Sequence, residues 1–324
     1  MAIEEQVLAL VKEAIHERAS DIFFLPKEKG YLIQLRTPKG LAPLKGVSFQ
    51  NGQELLTWFK YAAQMDIAEK RRPQVGSMKL ALEGKDYWLR LSSLGDYQGR
   101  ESLVIRLIYA LSQSRYFFPE QLEDLARFCQ RRGLIITSGP TGSGKTTTMY
   151  ELAKRLSQTK MVMTIEDPVE VYEGSFLQTQ INPVAGISYL SLLKAALRHR
   201  PDVLIIGEIR DSETAHLAVD AALSGHLVLA TVHAKSTFQT ISRLESLGVL
   251  ENELVNCLTA VSYQRLLPGK QGIACLLDLA GPDLLKKVLL QTDRGDFHNW
   301  ADNLAQLLKE GIIDETTASQ FSQG

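Results

Sequence analysis

Apolar positions at the start of the chain recur at helical spacing. Ile3, Val7, Leu10, Val11, Ala14 and Ile15 fall on one face, which predicts an amphipathic helix over residues 3–18. The pattern then changes to alternation. Ile22 to Leu25, Tyr31 to Arg36, Lys79 to Leu82, Tyr87 to Leu91 and Leu103 to Ile108 read as short strands. Turn signals at Lys39-Gly40, Asn51-Gly52 and Glu83-Gly84-Lys85 separate them. A second helix is predicted over 53–69, so residues 1–110 make a small α+β domain with an antiparallel sheet. Residues 111–119 are polar and aromatic without a period, end at Pro119, and read as an interdomain linker. From 120 to 324 helical patterns alternate with apolar runs at 134–137, 161–165, 203–207, 227–232 and 273–279, the signature of a parallel α/β sheet. No internal repeat or low-complexity tract is present, and the last forty residues are helix-like and polar at the end.

The first apolar run of the second domain, Leu134-Ile135-Ile136-Thr137, opens into Gly139-Pro140-Thr141-Gly142-Ser143-Gly144-Lys145-Thr146-Thr147-Thr148. This fits G-x-x-x-x-G-K-[ST], the loop that cradles phosphates between a strand and a helix. Gly142 and Gly144 let backbone N–H groups converge on phosphate oxygens. Lys145 supplies a compact charge for the β- and γ-phosphates, Thr146 offers a hydroxyl to Mg²⁺, and the helix N-terminus adds partial positive charge. Met149, Leu152, Ala153 and Leu156 then recur at helical spacing. A glycine-rich loop could match by chance, but not with this strand before it and this helix after it. The expectation is a nucleoside triphosphate.

Other reactive residue types stand where strands end, as ligand sites in open α/β sheets do. Glu166, Asp167 and Glu170 follow the run at 161–165, with Pro168 fixing the turn. Such a carboxylate run is either a solvated loop or part of a site. Glu208 follows Val203-Leu204-Ile205-Ile206-Gly207, where a carboxylate can hold a metal-bound or attacking water. Its bland alternative is a helix N-terminal carboxylate that favours the dipole. Because Gly207 precedes Glu208, no coordinating aspartate stands there, and Mg²⁺ would rest on Thr146, the phosphates and waters. His226 and His233 flank the run at 227–232. Each alone is more often structural.

Composition narrows the setting. The chain has 324 residues, enough for two cored domains, and a formal net charge of −1, which does not suggest a polybasic nucleic-acid surface. Cys129, Cys257 and Cys275 are not spaced as a metal clip and are expected to be buried free thiols in a reducing compartment. Glu4, Glu5, Lys12 and Glu13 interrupt any signal-like run, and no apolar stretch approaches the ~20 residues that span a bilayer. The expectation is a cytoplasmic protein that meets a membrane only through partners.

In this order, the motif stretches resemble those of the secretion and type IV pilus motor ATPases. Gly139 to Thr148 matches that family's Walker A loop, and Thr164-Ile165-Glu166-Asp167-Pro168-Val169-Glu170 its Asp box. Residues 195–211, ending Gly207-Glu208-Ile209-Arg210-Asp211, are similar to its Walker B region. Ser224-Gly225-His226-Leu227-Val228 with Thr231-Val232-His233 resembles its His box, and Gln264-Arg265-Leu266-Leu267-Pro268 a further segment. Ala19-Ser20-Asp21-Ile22 and the strand carrying Arg90 fit the first domain. The resemblance spans nearly the whole chain. It implies an N-terminal PAS-like α+β domain and a C-terminal RecA-like P-loop NTPase domain.

Departures narrow the resemblance. Assembly and export members usually carry an additional N-terminal domain and a four-cysteine zinc module, so no zinc is expected here. The chain is most like the competence ATPases of Gram-positive bacteria, which power a pseudopilus for DNA uptake. Phe23 stands where many relatives have His, and Ala234 where Thr is common. By resemblance, Glu170 is the Asp-box glutamate and Glu208 the Walker B glutamate, with the proton acceptor undecided between them. His226 and His233 would position the γ-phosphate region. A homo-hexamer is implied, in which Arg90 and Arg106, with Arg100 as a further candidate, reach the nucleotide as guanidinium clamps. A polytopic membrane platform protein is the implied partner, with pilin-like proteins moved indirectly and no direct nucleic-acid binding. Three alternatives remain: a retraction or general secretion motor of the same family, a RecA-like nucleic-acid translocase, and a scaffold that binds ATP without cycling.

Overall fold

The computed structural model describes residues 2–37, 39–109, 114–182, 185–291 and 294–324. The chain divides into two compact units, residues 1–110 and 111–324. In the first, helix α1 (Ile3–His16) precedes strands β1 (Asp21–Lys27), β2 (Gly30–Thr37) and β3 (Gly40–Val47). Helix α2 (Phe49–Ala62) and strands β4 (Gln74–Leu82), β5 (Lys85–Gly95) and β6 (Glu101–Ile108) follow. All pairings are antiparallel, in the order β3-β2-β1-β6-β5-β4. Val7, Leu10 and Val11 of α1 and Leu55, Leu56 and Phe59 of α2 bury against Ile22, Phe24, Ile33, Leu91 and Ile105 of the sheet.

Two expectations for this unit shift. The second helix starts at Phe49, not at 53, because Ser48 Oγ accepts the Asn51 N–H at 3.2 Å and caps it. Asn51-Gly52 therefore lies inside the helix rather than in a turn. Gly52 is used for closeness: a Cβ there would stand 2.3 Å from the Tyr31 ring. The helix also stops at Ala62, short of 69. Strand β3 was not expected, since its mostly exposed residues carry no alternation to read.

In the second unit, α3 (Pro119–Phe128), β7 (Gly133–Ser138), α4 (Lys145–Leu156), β8 (Val162–Glu166) and β9 (Leu177–Gln180) come first. They are followed by α5 (Tyr189–His199), β10 (Val203–Ile206), α6 (Ser212–Leu223), β11 (Leu227–Val232), α7 (Thr237–Ser246) and α8 (Glu251–Cys257). The chain closes with β12 (Leu258–Gly269), β13 (Gly272–Ala280), α9 (Pro282–Leu289), α10 (Trp300–Lys309) and α11 (Glu315–Gln320). The strand order is β13-β12-β7-β11-β10-β8-β9, parallel throughout except for β13 against β12. One apolar layer carries α5 to α9 and another carries α3 and α4, so the central strands are buried on both faces and read as unbroken apolar runs.

The sheet is thus mixed rather than purely parallel. Strands β9 and β12 were not anticipated, because β9 is largely solvated and β12 interleaves Thr259, Ser262, Gln264 and Arg265 with its apolar residues. Of the expected linker, residues 111–113 lie outside the described residues. Its remainder is not free of structure: Arg115 O accepts from Cys275 N at 2.7 Å and Phe117 N donates to Cys275 O at 2.9 Å, which docks it on the β13 edge. All three cysteines are buried and free, and burial raises each thiol's pKa. No helix among the described residues is long and apolar enough to cross a membrane.

Candidate functional site

The phosphate-type loop leaves the fully buried β7 and returns through Gly144, whose φ of +86° caps α4 in the left-handed region that glycine tolerates. At the loop's start, Gly139 has φ +141°, and a Cβ there would lie 2.4 Å from the Gln264 carbonyl oxygen. Only glycine fits that approach. Lys145 Nζ donates to the carbonyls of Gly139 and Pro140, both at 2.9 Å, which folds it over the loop. Burial lowers the Lys145 pKa, and the nearby carboxylates of Glu208 and Glu170 oppose that shift. Behind the loop, the buried Gln264 of β12 donates from Nε2 to Ser143 O at 2.7 Å. The phosphate loop is thereby held by a strand more than a hundred residues away.

The carboxylates off β8 and β10 differ in environment. Glu166 is buried at the end of β8 and accepts from Tyr150 Oη and Thr164 Oγ1, both at 2.6 Å. Desolvation raises its pKa despite those two donors. Gln178 Nε2 extends the chain by donating to Tyr150 Oη at 2.8 Å. Glu170 instead reaches the front of the loop, where its Oε2 accepts from Thr146 Oγ1 at 3.3 Å. Glu208 sits in the turn after β10. One oxygen pairs with Arg210 at 2.7 Å and the other with His233 Nε2 at 3.2 Å. That ion pair raises the Arg210 pKa. Thr231 Oγ1 donates to Gly207 O at 2.6 Å and pins the turn that carries Glu208.

A cavity of about 460 Å³ at the carboxyl ends of the strands collects most of the anticipated site. Thr141, Gly142, Gly144, Lys145, Thr146 and Thr147 line it together with Glu170, Glu208 and His233. Ser143 is buried within the loop, and Gly139 and Pro140 face a second cavity beside His233. Glu208 is not a helix N-terminal carboxylate. Helix α6 starts at Ser212, and its cap is Asp211, which accepts from Thr214 N at 2.8 Å.

The structure does not bring His226 to this cavity. It precedes β11 while His233 follows it, and six strand residues put roughly 20 Å between the two histidines. At its own end, His226 Nδ1 pairs with Ala221 O at 3.1 Å. Arg90 and Arg106 belong to the first unit. They stand directly opposite each other on β5 and β6, and Arg106 Nε donates to the buried Asp21 at 2.9 Å. Neither spacing nor motif in the sequence assigns a role to Arg210 or Tyr150, or a position to Gln264 beyond its motif. A buried-type glutamine within an apolar strand was the signal available for the last.

Residues 1–281 match the family described as type II/IV secretion system protein. Competence protein ComGA of Streptococcus pneumoniae R6 is 40% identical over 316 residues, which is 98% of this chain and 97% of that protein. Competence protein ComGA of Bacillus subtilis 168 is 39% identical over 272 residues, 82% of this chain and 76% of that protein. Among solved structures, the pilus retraction motor PilT with bound ADP superposes with a TM-score of 0.77 at 27% identity, covering 97% of this chain and 96% of that one.

Proposed function

The chain belongs to the type II/IV secretion system protein family, as a PAS-like α+β unit followed by a RecA-like P-loop unit, and from that premise we propose that it hydrolyses ATP to drive a competence pseudopilus. The observation that carries the reading is the convergence of Lys145, Thr146, Glu170, Glu208 and His233 on one cavity at the carboxyl ends of four strands. The triphosphate lies along the loop, its β- and γ-phosphates meeting Lys145 and the backbone N–H groups at the start of α4.

Thr146 Oγ1 and Glu170 Oε2, 3.3 Å apart, are hard oxygen donors that suit Mg²⁺ with phosphates and waters as its remaining ligands. Among the described residues no three His, Cys, Asp or Glu side chains cluster as a metal site, so the nucleotide brings most of the coordination. Bound there, the ion would neutralise charge on the phosphates. Glu208 takes the role at the other side of the loop. It orients the attacking water and accepts its proton as the oxygen adds to the γ-phosphorus and the ADP oxygen leaves, while His233 holds the carboxylate from its far oxygen.

The ring expected of such a motor is a homo-hexamer, in which Arg90 and Arg106 of the first unit complete a nucleotide site. Their cross-strand pairing supports this, since it puts both residues on one face of the first unit's sheet. The partners are a polytopic membrane platform protein and, through it, pilin-like subunits, with the motor held peripherally on the cytoplasmic face. The likeness to ComGA proteins over nearly the whole chain favours DNA uptake over retraction or general secretion.

The test is ATP turnover by the purified protein with its membrane partner, with and without DNA. Lys145→Ala is expected to abolish turnover, by at least about a thousandfold. Wild-type turnover in that variant would overturn the assignment. Stimulation by DNA alone would favour a nucleic-acid translocase.

A further inference from the structure

Beside the phosphate loop lies a second cavity, of about 400 Å³, that no part of the proposed hydrolysis uses. Gly139, Pro140, His233, Lys235, Tyr263 and Arg265 form its wall. His233 lines both cavities, and the Gly139-Pro140 segment divides them, with Lys145 Nζ bonded to that segment's carbonyls. Their charges differ in balance. The first presents Glu166, Asp167, Glu170 and Glu208 against Lys145 and Arg210, and the second has no aspartate or glutamate on its wall and carries two cations, Lys235 and Arg265. Arg265 is already fixed, donating to Gly324 O at 2.6 Å and lying 4.9 Å from the Phe321 ring centroid. Lys235 is exposed, and no ion pair to it occurs among the described residues.

We infer that this second cavity is the exit for inorganic phosphate, with Lys235 as the group that receives it. The inference rests on the hydrolysis reading above. Once the γ-phosphate is cut from ADP, it is a mobile anion between a wall on which Asp167, Glu170 and Glu208 outnumber Lys145 and Arg210 and a wall that carries Lys235 and Arg265. The Coulomb gradient between two such walls, only partly screened near a protein surface, directs the anion past His233. Lys235 suits a transient site because an ammonium on a flexible stem binds phosphate as a point charge and lets it go. It is a product-release residue and touches no atom that reacts.

The experiment compares wild type, Lys235→Gln and Lys235→Arg in a rapid-mixing assay. Total phosphate is read after acid quench and free phosphate by a fluorescent phosphate-binding sensor. In Lys235→Gln, cleavage should keep its wild-type first-turnover rate while free phosphate lags about tenfold behind it, and Lys235→Arg should restore release. Superimposed quench and sensor traces in Lys235→Gln would overturn the inference. A second arm needs no hydrolysis: inorganic phosphate is titrated onto the ADP-loaded Lys145→Ala protein, in which the loop's own cation is gone. Adding Lys235→Gln should weaken that binding about tenfold, and unchanged affinity would overturn the exit site whatever the fate of the motor reading. Absent wild-type turnover with this binding difference intact would instead count against the motor.

Discussion

At the carboxyl ends of β7, β8, β10 and β11 the second unit gathers Lys145, Glu166, Glu170, Glu208 and His233 around a cavity, whereas at the amino ends polar side chains close on backbone. There Asp202 Oδ2 accepts from Met161 N at 2.9 Å, Thr259 Oγ1 donates to Arg132 O at 3.1 Å, and His226 pairs with Ala221 O at 3.1 Å. Both ends are polar and the residue types overlap. The difference is that groups at the amino ends satisfy main-chain partners, while those at the carboxyl ends bond chiefly to one another and border a cavity. His226 and His233 make the contrast within a single strand.

The contrast between the two ends turns first on Glu208. If its carboxylate handles the attacking water, Glu208→Gln should cut the first-turnover rate by about 10²–10⁴ while a fluorescent nucleotide still binds. A loss under tenfold would move the role to Glu170. The two histidines carry the contrast across β11. His233→Ala removes the partner of one Glu208 oxygen and should lower turnover about tenfold or more, whereas His226→Ala should leave turnover within about twofold and cost about 1 kcal/mol of stability in thermal unfolding. Equal effects on turnover would mean that the amino-terminal end also contributes to chemistry.

The smallest effect concerns Glu166, the one site carboxylate that is sealed from water. Burial raises its folded pKa above the unfolded value, so the folded protein binds this proton more tightly than the unfolded chain does. The stability so conferred is complete below the unfolded value and is lost as pH rises through the folded one. Glu166→Gln, which keeps the Tyr150 and Thr164 neighbours, should flatten that decline in denaturant titrations run at successive pH values above 4.5. An unaltered pH slope would show that the carboxyl group is not held protonated by its surroundings.

The contrast also explains what could be foreseen. The Lys145 loop and Glu208 were legible because each follows a run of four or more buried residues, and such a run can only be a strand inside the sheet. Asn51-Gly52 misled, since its turn preference is local while Tyr31, far back in the chain on β2, uses the missing Cβ of Gly52 to pack against α2. His226 misled for the converse reason. Its motif pairs it with His233, but it stands before β11 while His233 follows it, and only the carboxyl ends of the strands meet the cavity.

By itself, the order of residues settled that the second unit is a sheet of buried strands, that a triphosphate-type loop opens after the first of them, and that Glu170, Glu208 and His233 leave strands in its direction. These follow from periodicity and from glycine and lysine at fixed spacing, which are short-range properties of a chain. Tertiary structure alone decided that Gln264 braces the loop from behind, that Arg210 and His233 hold Glu208 between them, and that Glu166 is enclosed with Tyr150. Each of those depends on which strands become neighbours. That choice is made by burying two apolar faces at once across the whole unit, and no local stretch of sequence contains it.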